Sequence, residues 1–487
     1  MSNKNRHSQP FIMVLSVTII LLICSQLKTE FILFGFKTQK VDPLADILQK
    51  GILKKVPLTN PVINDSIIAK DSSEYAFRQT DSSNIVDFVN DSSSALSHFF
   101  QSLNLLKKKK SKTRIAYFGD SMIEGDLISQ DFRDCMQDFF GGNGVGYIPI
   151  TSIVSGFRTS VIHSFGGWTT YNLLENIPQN HSLGIAGFSF VPNTTTVIDS
   201  NNFTSGSWVK YTAVNKKHLN KFYETKLLYG KSEGDNFVII NGNRYKLIGS
   251  NEVNQLVINT FSQQVNARFQ CNTPLDIFGF SMECDSGVIV DNFSFRGNSG
   301  LPIQKVKKTI YSATNACFDY DLIILEYGLN AVDPRVTDFS WYEKGMNVVI
   351  KHIKASFPNA SILLISVGDK SYRKEGVYQT DPSVPILVEA QKRMARDNKL
   401  AFWSLYDAMG GYGSMVKWVE GDTTFANKDY THFNFKGARK VGKLLFSKMI
   451  TEYNDYNKKQ RALSISDKPK EGNAPLEKDS TKNQDEE

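Results

Sequence analysis

The strongest constraint on the fold is a series of short, largely apolar runs that alternate with helix-length amphipathic stretches. The run Arg114-Ile115-Ala116-Tyr117-Phe118 is followed by Ile123, Leu127, Ile128, Phe132, Met136 and Phe139. Steps of three and four residues put these side chains on one face, which predicts a helix over Met122 to Phe140. Further runs, Asp321-Leu-Ile-Ile-Leu-Glu, Ser361-Ile-Leu-Leu-Ile-Ser-Val and Leu400-Ala-Phe-Trp-Ser-Leu, are separated by helical stretches over Trp341 to Phe357 and Pro385 to Asn398. Runs without a polar face suit strands covered on both sides, as in a parallel sheet packed between helices. Between about 161 and 290 the character changes. Short β-rich runs such as Trp208-Val-Lys-Tyr, Phe237-Val-Ile-Ile and Leu256-Val-Ile-Asn-Thr-Phe are joined there by Asn, Gly and Ser turns. The expected architecture is therefore one parallel α/β domain interrupted by an inserted β-sandwich.

Gly119-Asp120-Ser121 closes the first run and opens the first helical stretch, which mounts Ser121 on a strand-to-helix turn. Asp429-Tyr430-Thr431-His432 supplies a carboxylate and an imidazole three positions apart, just before another helical stretch. A serine becomes a useful nucleophile only when a base takes its proton, and a carboxylate holds that base in the right tautomer. The pairing resembles the SGNH (GDSL-type) hydrolases, whose first motif carries the serine and whose last, Asp-x-x-His, carries the other two groups. Gly328-Leu329-Asn330 fits that family's Gly-x-Asn motif, with Ala331 where an Asp often follows. Arg296-Gly297-Asn298-Ser299-Gly300 resembles its glycine block, with Gly300 the better match and Gly297 the fallback.

The resemblance implies a three-layer α/β hydrolase domain with Ser121 as nucleophile, His432 as base and Asp429 as its orienting acid. It implies an oxyanion hole built from the Ser121 and Gly300 backbone N–H groups and the Asn330 side-chain amide. Each such donor lowers the barrier to ester cleavage by about 2.7–4 kcal/mol when it meets the charge that develops on the carbonyl oxygen. No cofactor and no metal are expected, because the chemistry rests on side chains alone. Asp120 is expected to brace the turn rather than carry protons.

In layout the chain resembles the bacterial peptidoglycan O-acetylesterases, which carry a carbohydrate-module-like insertion between the serine and glycine motifs. That implies an exported esterase acting on an acetylated envelope glycan. Two alternatives stand beside it. One is an O-acetyltransferase that uses the same site with a membrane acyl-transfer protein as partner. The other is a glycan-binding envelope protein without activity.

The remaining candidates carry less. His163, His181, His218 and His352 read as ordinary surface or core imidazoles, and no Cys-x-x-Cys or His-x-x-x-His pair marks a zinc site. Glu124 and Asp126 are two apart, so on a helix they would point to different faces and read as exposed or capping groups. Gly141-Gly142-Asn143-Gly144-Val145-Gly146 reads as a flexible loop, since it follows a helix instead of opening one. Trp168 on a glycine turn suits either sugar stacking or core packing, and Cys271 and Cys284 either a disulfide or two buried thiols. The net charge of +7 is dispersed, which argues against nucleic acid as a partner.

At the N-terminus, Lys4 and Arg6 precede an uncharged stretch of fifteen residues, Phe11 to Ser25, about 22 Å long as a helix. It suits an export signal, and the apolar Phe31 to Phe36 favours an uncleaved inner-membrane anchor with the bulk of the chain in the periplasm. A lipoprotein at Cys24 or a secreted form are the alternatives. The expected organisation is an anchor or signal segment (1–36), a polar stalk (37–95), hydrolase segments (96–160 and 291–456) around the insertion (161–290), and a disordered charged tail (457–487).

Overall fold

The computed structural model describes residues 84–89, 94–193 and 206–466, and an antiparallel strand pair, Ile32–Leu33 with Phe36–Lys37. The apolar stretch from Phe11 to Ser25, the stalk before residue 84 and the tail beyond residue 466 lie outside the described residues. Among the described residues no helix is long and apolar enough to cross a membrane.

The chain folds as a mixed α/β protein around a largely parallel sheet. Strands β1 (Val86–Asp87), β2 (Lys112–Gly119), β3 (Gly287–Ser294), β4 (Leu322–Glu326), β5 (Ser361–Ile365) and β6 (Ala401–Trp403) form it, in the order β3-β2-β4-β5-β6-β1. All pairings are parallel except that of β1 with β6. Every residue of β4 and β5, and β2 from Thr113 onward, is buried, which is why these runs lack a polar face. The helices Ser97–Leu106, Ser129–Phe140 and Phe435–Ser466 pack together, and Lys308–Phe318, Ser340–Ser356 and Ser383–Asp397 pack in series.

Three details differ from the sequence reading. The helix expected from Met122 starts only at Ser129. Gly125, Asp126 and Ile128 have φ of 66°, 70° and 60°, and one buried carboxylate organises this non-helical turn. Asp126 accepts from Ser129 Oγ at 2.6 Å and from Arg133 Nη1 at 3.1 Å, with Arg158 Nη2 at 3.3 Å. The polar segment read as stalk ends in β1, where Ile85 is buried and Asp87 accepts the N–H groups of Val89 and Ala95 at 2.9 Å each. Finally, the last helix continues past residue 457 to Ser466. Tyr456 receives Gln101 Nε2, Asn457 receives Asn104 Nδ2, and the Lys, Gln, Arg, Ala and Leu that follow are good helix formers.

Residues 146–283 contribute two antiparallel sheets. One orders 254–262, 222–229, 277–283, 188–192 and 168–172, with 146–148 also paired to 277–283. The other orders 243–246, 236–240, 264–271, 207–212 and 162–166. Phe190, Leu227 and Phe280 from the first share a hydrophobic cluster with Val209, Val238 and Phe269 from the second. Trp168 packs against this cluster, edge-on to Phe269, and donates Nε1 to Trp208 O at 2.9 Å, so it is a packing residue. Cys271 and Cys284 are buried free thiols.

The glycine-rich segment 141–146 is a tight crossing rather than a flexible loop. A Cβ on Gly144 would lie 2.3 Å from Met282 O, and one on Gly146 would lie 2.5 Å from Val290 O. Only glycine permits that approach, and the positive φ of both residues (101° and 71°) agrees.

Candidate active site

Gly119 at the end of β2 pairs in register with Ser294 of β3 and Glu326 of β4. The loops after these three strands therefore leave the same edge of the sheet, at its C-terminal end, where open α/β sheets place their ligands. They carry Ser121, the Arg296–Gly300 segment and Asn330.

Gly119 is required at the turn because a Cβ there would meet Ile123 Cγ1 at 2.8 Å and Glu326 O at 3.2 Å. Asn292 secures the turn from below, donating Nδ2 to Ile123 O at 2.8 Å and to Ser129 Oγ at 2.7 Å. Ser121 is thereby held with its Oγ 2.9 Å from His432 Nε2. His432 Nδ1 lies 2.7 Å from Asp429 Oδ2, and Asp429 Oδ1 accepts the N–H groups of Thr431 and His432 at 3.0 Å each. Burial pushes the Asp429 carboxyl up, but these contacts outweigh it and hold the group below its ordinary value. The three side chains named from sequence thus form one continuous hydrogen-bonded chain. Such a chain can take the hydroxyl proton on the imidazole while a carboxylate balances the charge.

A support that the sequence reading missed stands behind His432. Tyr430 has φ of 54°, and its ring stacks on Tyr378 at 3.6 Å between centroids and 8° between planes. Tyr378 belongs to a hairpin, Ser371–Lys374 with Val377–Thr380, and Ser371 N–H also donates to Tyr430 O. The hairpin lies far from both motifs in sequence, and no spacing in the chain announces the stack.

The Asn330 amide donates both protons, to Asp120 Oδ2 and to Asn298 O, each at 3.1 Å. Asp120 also accepts Met122 N–H at 3.0 Å, so it braces the turn as expected. Burial raises the Asp120 carboxyl to about 7, against the lowering contacts from Met122 and Asn330. Beside it, Glu326 receives the Tyr117 hydroxyl and is raised to about 8, chiefly by burial and further by Asp120.

Gly300, preferred as an oxyanion donor, has its N–H engaged within its own loop. Its N–H is buried and donates to Asn298 Oδ1 at 2.8 Å, and a Cβ on it would strike Met346 Sδ and Tyr327. Gly297 is the residue that faces outward: it is exposed, has φ of 78°, and has only Leu174 Cδ1 near the position of a Cβ. Asn298 is the missed partner, because its carbonyl ties this loop to Asn330 while its side chain folds Gly300 inward. The sequence signal lay inside the Arg296–Gly300 block, where an Asn side chain can accept the N–H two residues on.

Glu124 and Asp126, read as exposed or capping groups, are both buried. Glu124 pairs with Arg296, and Asp126 with Arg133. The other histidines bond elsewhere: His163 to Ile150 O, His181 to Asp276, His218 to Asp138 and His352 to Val306 O. Asp134, Asp138 and His218 bring three potential metal-ligand atoms within 4.8 Å of one another, but Asp138 is already shared by Lys217 and His218.

No protein-family model matches the chain, and no curated protein does. Among solved structures, a peptidoglycan O-acetylesterase matches with a TM-score of 0.62 at 21% identity, over 76% of this chain and 99% of its own. This chain shares that esterase's fold. The resemblance to SGNH-type esterases therefore holds at the level of the fold. A family two carbohydrate esterase from Clostridium thermocellum in complex with cellohexaose matches at a TM-score of 0.25 and 10% identity, over 55% of this chain and 95% of its own. The periplasmic domain of a lipopolysaccharide acetyltransferase from Salmonella ser. Paratyphi A matches at 0.25 and 12%, over 34% and 74%. Scores this low carry no structural argument.

Proposed function

We propose that this chain is an exported serine esterase that removes O-acetyl groups from a cell-envelope glycan, with peptidoglycan as the foremost substrate. The observation that carries the reading is the unbroken contact from Ser121 through His432 to Asp429, at 2.9 and 2.7 Å, at the sheet edge that also presents Asn330 and Gly297. The fold shared with a peptidoglycan O-acetylesterase supports the choice of substrate. On this reading the two antiparallel sheets form a β-sandwich that holds the polymer, and the N-terminal segment tethers the protein to the membrane.

In the reaction, Ser121 Oγ attacks the acetyl carbonyl carbon as its proton passes to His432 Nε2. The tetrahedral oxyanion meets the N–H groups of Ser121 and Gly297, and competes for one of the two protons that Asn330 now gives to Asp120 and Asn298. Collapse breaks the ester C–O bond, and the imidazolium returns its proton to the departing sugar hydroxyl. Water, deprotonated by His432, then attacks the acetyl-Ser121 carbonyl and releases acetate and free serine.

The test is to incubate the purified full chain with O-acetylated peptidoglycan, with and without an acceptor oligosaccharide, and to follow acetate and product mass. Free acetate is expected, falling by more than about a thousandfold in Ser121→Ala at unchanged melting temperature. Acetylated acceptor in place of acetate would make the protein a transferase. Neither product, or activity retained in Ser121→Ala, would remove the esterase reading.

A further inference from the structure

The serine turn and the glycine loop are joined by an ion pair that the chemistry above does not use. Glu124 stands three residues after Ser121, and Arg296 immediately precedes Gly297. Arg296 donates Nε to Glu124 Oε2 at 2.7 Å, and its Nη2 closes on the same oxygen. The Glu124 side chain is 11% exposed and that of Arg296 is 55% exposed, so the carboxylate is the fixed end and the guanidinium reaches in from the rim. A half-exposed pair of this kind contributes little to global stability, about 0–1 kcal/mol. Its consequence is geometric.

Both loops have other anchors, and the pair is the charged contact that joins them. The serine turn is held by Asn292 and by the buried Asp126 with Arg133. The glycine loop is held by Phe295 N–H to Gly119 O at 2.9 Å, by Asn298 N–H to Phe295 O at 3.3 Å and by the Asn330 amide on Asn298 O at 3.1 Å. Gly297 lies between these points with open space beside it. A donor that must meet an oxyanion without moving needs a tether close by, and its neighbour in sequence provides one.

We propose that the Arg296–Glu124 pair is a positioning clamp that sets the Gly297 N–H against the Ser121 N–H. The catalytic consequence rests on the esterase reading; the mechanical one does not. Neither residue touches the reacting atoms, so both act through Gly297.

The experiment compares full-length wild type, Arg296→Ala, Arg296→Lys, Glu124→Gln and the Arg296→Ala/Glu124→Gln double variant. With 4-nitrophenyl acetate, each Ala or Gln variant is expected to lose kcat by about ten- to a hundredfold, since small misplacements of reacting groups have effects of that order. KM should stay within about twofold, Arg296→Lys should recover part of the loss, and the double variant should be no worse than either single one. Hydrogen exchange of residues 293–300 should accelerate about tenfold in Arg296→Ala. Unchanged kcat in folded variants, losses that multiply in the double variant, or a change in KM alone would overturn the clamp. Should the wild type show no turnover and no difference from Ser121→Ala, the esterase reading fails. Hydrogen exchange then still decides the clamp, and unchanged protection over 293–300 would overturn it.

Discussion

Replacing Glu326 with glutamine should stabilise the protein, increasingly so as the pH rises. Glu326 ends β4 beneath the serine turn, is 4% exposed, and gives one oxygen to the Tyr117 hydroxyl. Its other oxygen has no partner among the described residues. Burial raises the folded-state value to about 8, against an ordinary 4.5. The sign follows from proton counting. Between those two values the folded protein holds a proton that the unfolded chain has released, so stability falls as the pH rises through the window. The contribution is fully present below pH about 4.5 and lost by about pH 8. At about 1.4 kcal/mol per pH unit the span corresponds to at most about 5 kcal/mol, and polarisable surroundings reduce this to about 2–4 kcal/mol. Glutamine keeps the shape and has no proton to lose. Urea unfolding of wild type and Glu326→Gln at pH 4.5, 6.5 and 8 should give curves that nearly coincide at the lowest pH and diverge by about 2–4 kcal/mol at the highest. Taking the difference between variants removes the opposite trend from His163, which burial lowers to about 4. A difference that is flat with pH, or a glutamine variant that is less stable at pH 8, would refute the reasoning.

Asn330→Ala should lower kcat for an aryl acetate by about 10²–10³-fold with little change in KM, because its amide would bind charge that exists only in the transition state. A rise in KM alone would make Asn330 a substrate-positioning residue. Gly144→Ala should cost about 1–3 kcal/mol in urea unfolding, since the new methyl must displace the Met282 carbonyl 2.3 Å away at a φ of 101°. A wild-type midpoint would mean that the crossing is as compliant as its glycines suggest from sequence.

The sequence disclosed the elements whose signal is local. The strands β2, β4 and β5 were legible because burial on both faces leaves an unbroken apolar stretch in each, and Ser121, His432 and Asp429 because each sits in a short motif at a strand or helix boundary. Long-range partnerships were not legible. The late start of the first of these helices, at Ser129, depends on Arg133 reaching back to Asp126 and on Asn292 of another strand, and the apolar periodicity of residues 123–139 gives no sign of either. The engagement of the Gly300 N–H by the Asn298 side chain is a contact over two residues that the motif allows but does not require. The stack of Tyr378 on Tyr430 joins residues fifty-two apart and leaves no periodic trace.

The two antiparallel sheets are fastened to the parallel sheet at the far end of β2 from the serine. At its beginning, Lys112 reaches Glu283 and Glu224 of the insertion, and Arg114 reaches Glu283 and also donates to Asp291 of β3 at 2.7 Å. Ser121 lies seven residues beyond Arg114, more than about 20 Å away along an extended strand. The segment leading into the insertion acts at the other end. Phe157 leaves no room for a side chain on Gly125 and stacks on Phe435 at 4.6 Å, while Arg158 reaches Asp126. Phe435 follows His432 by three residues, so this segment touches both the serine turn and the histidine loop. A chain cut at 165 and 288 would keep Phe157 and Arg158 but leave Arg114, 1% exposed, with Asp291 and without Glu283. Breaking a buried pair by removing one partner costs about 3–5 kcal/mol. The segment leading into the insertion therefore bears on the site through residues 157 and 158, while the insertion itself reaches the glycine loop through Leu174 beside Gly297 and Phe188 stacked on Phe295 and bears on stability through residue 283, so a loss of activity on its removal would first have to be separated from the loss of that buried charge.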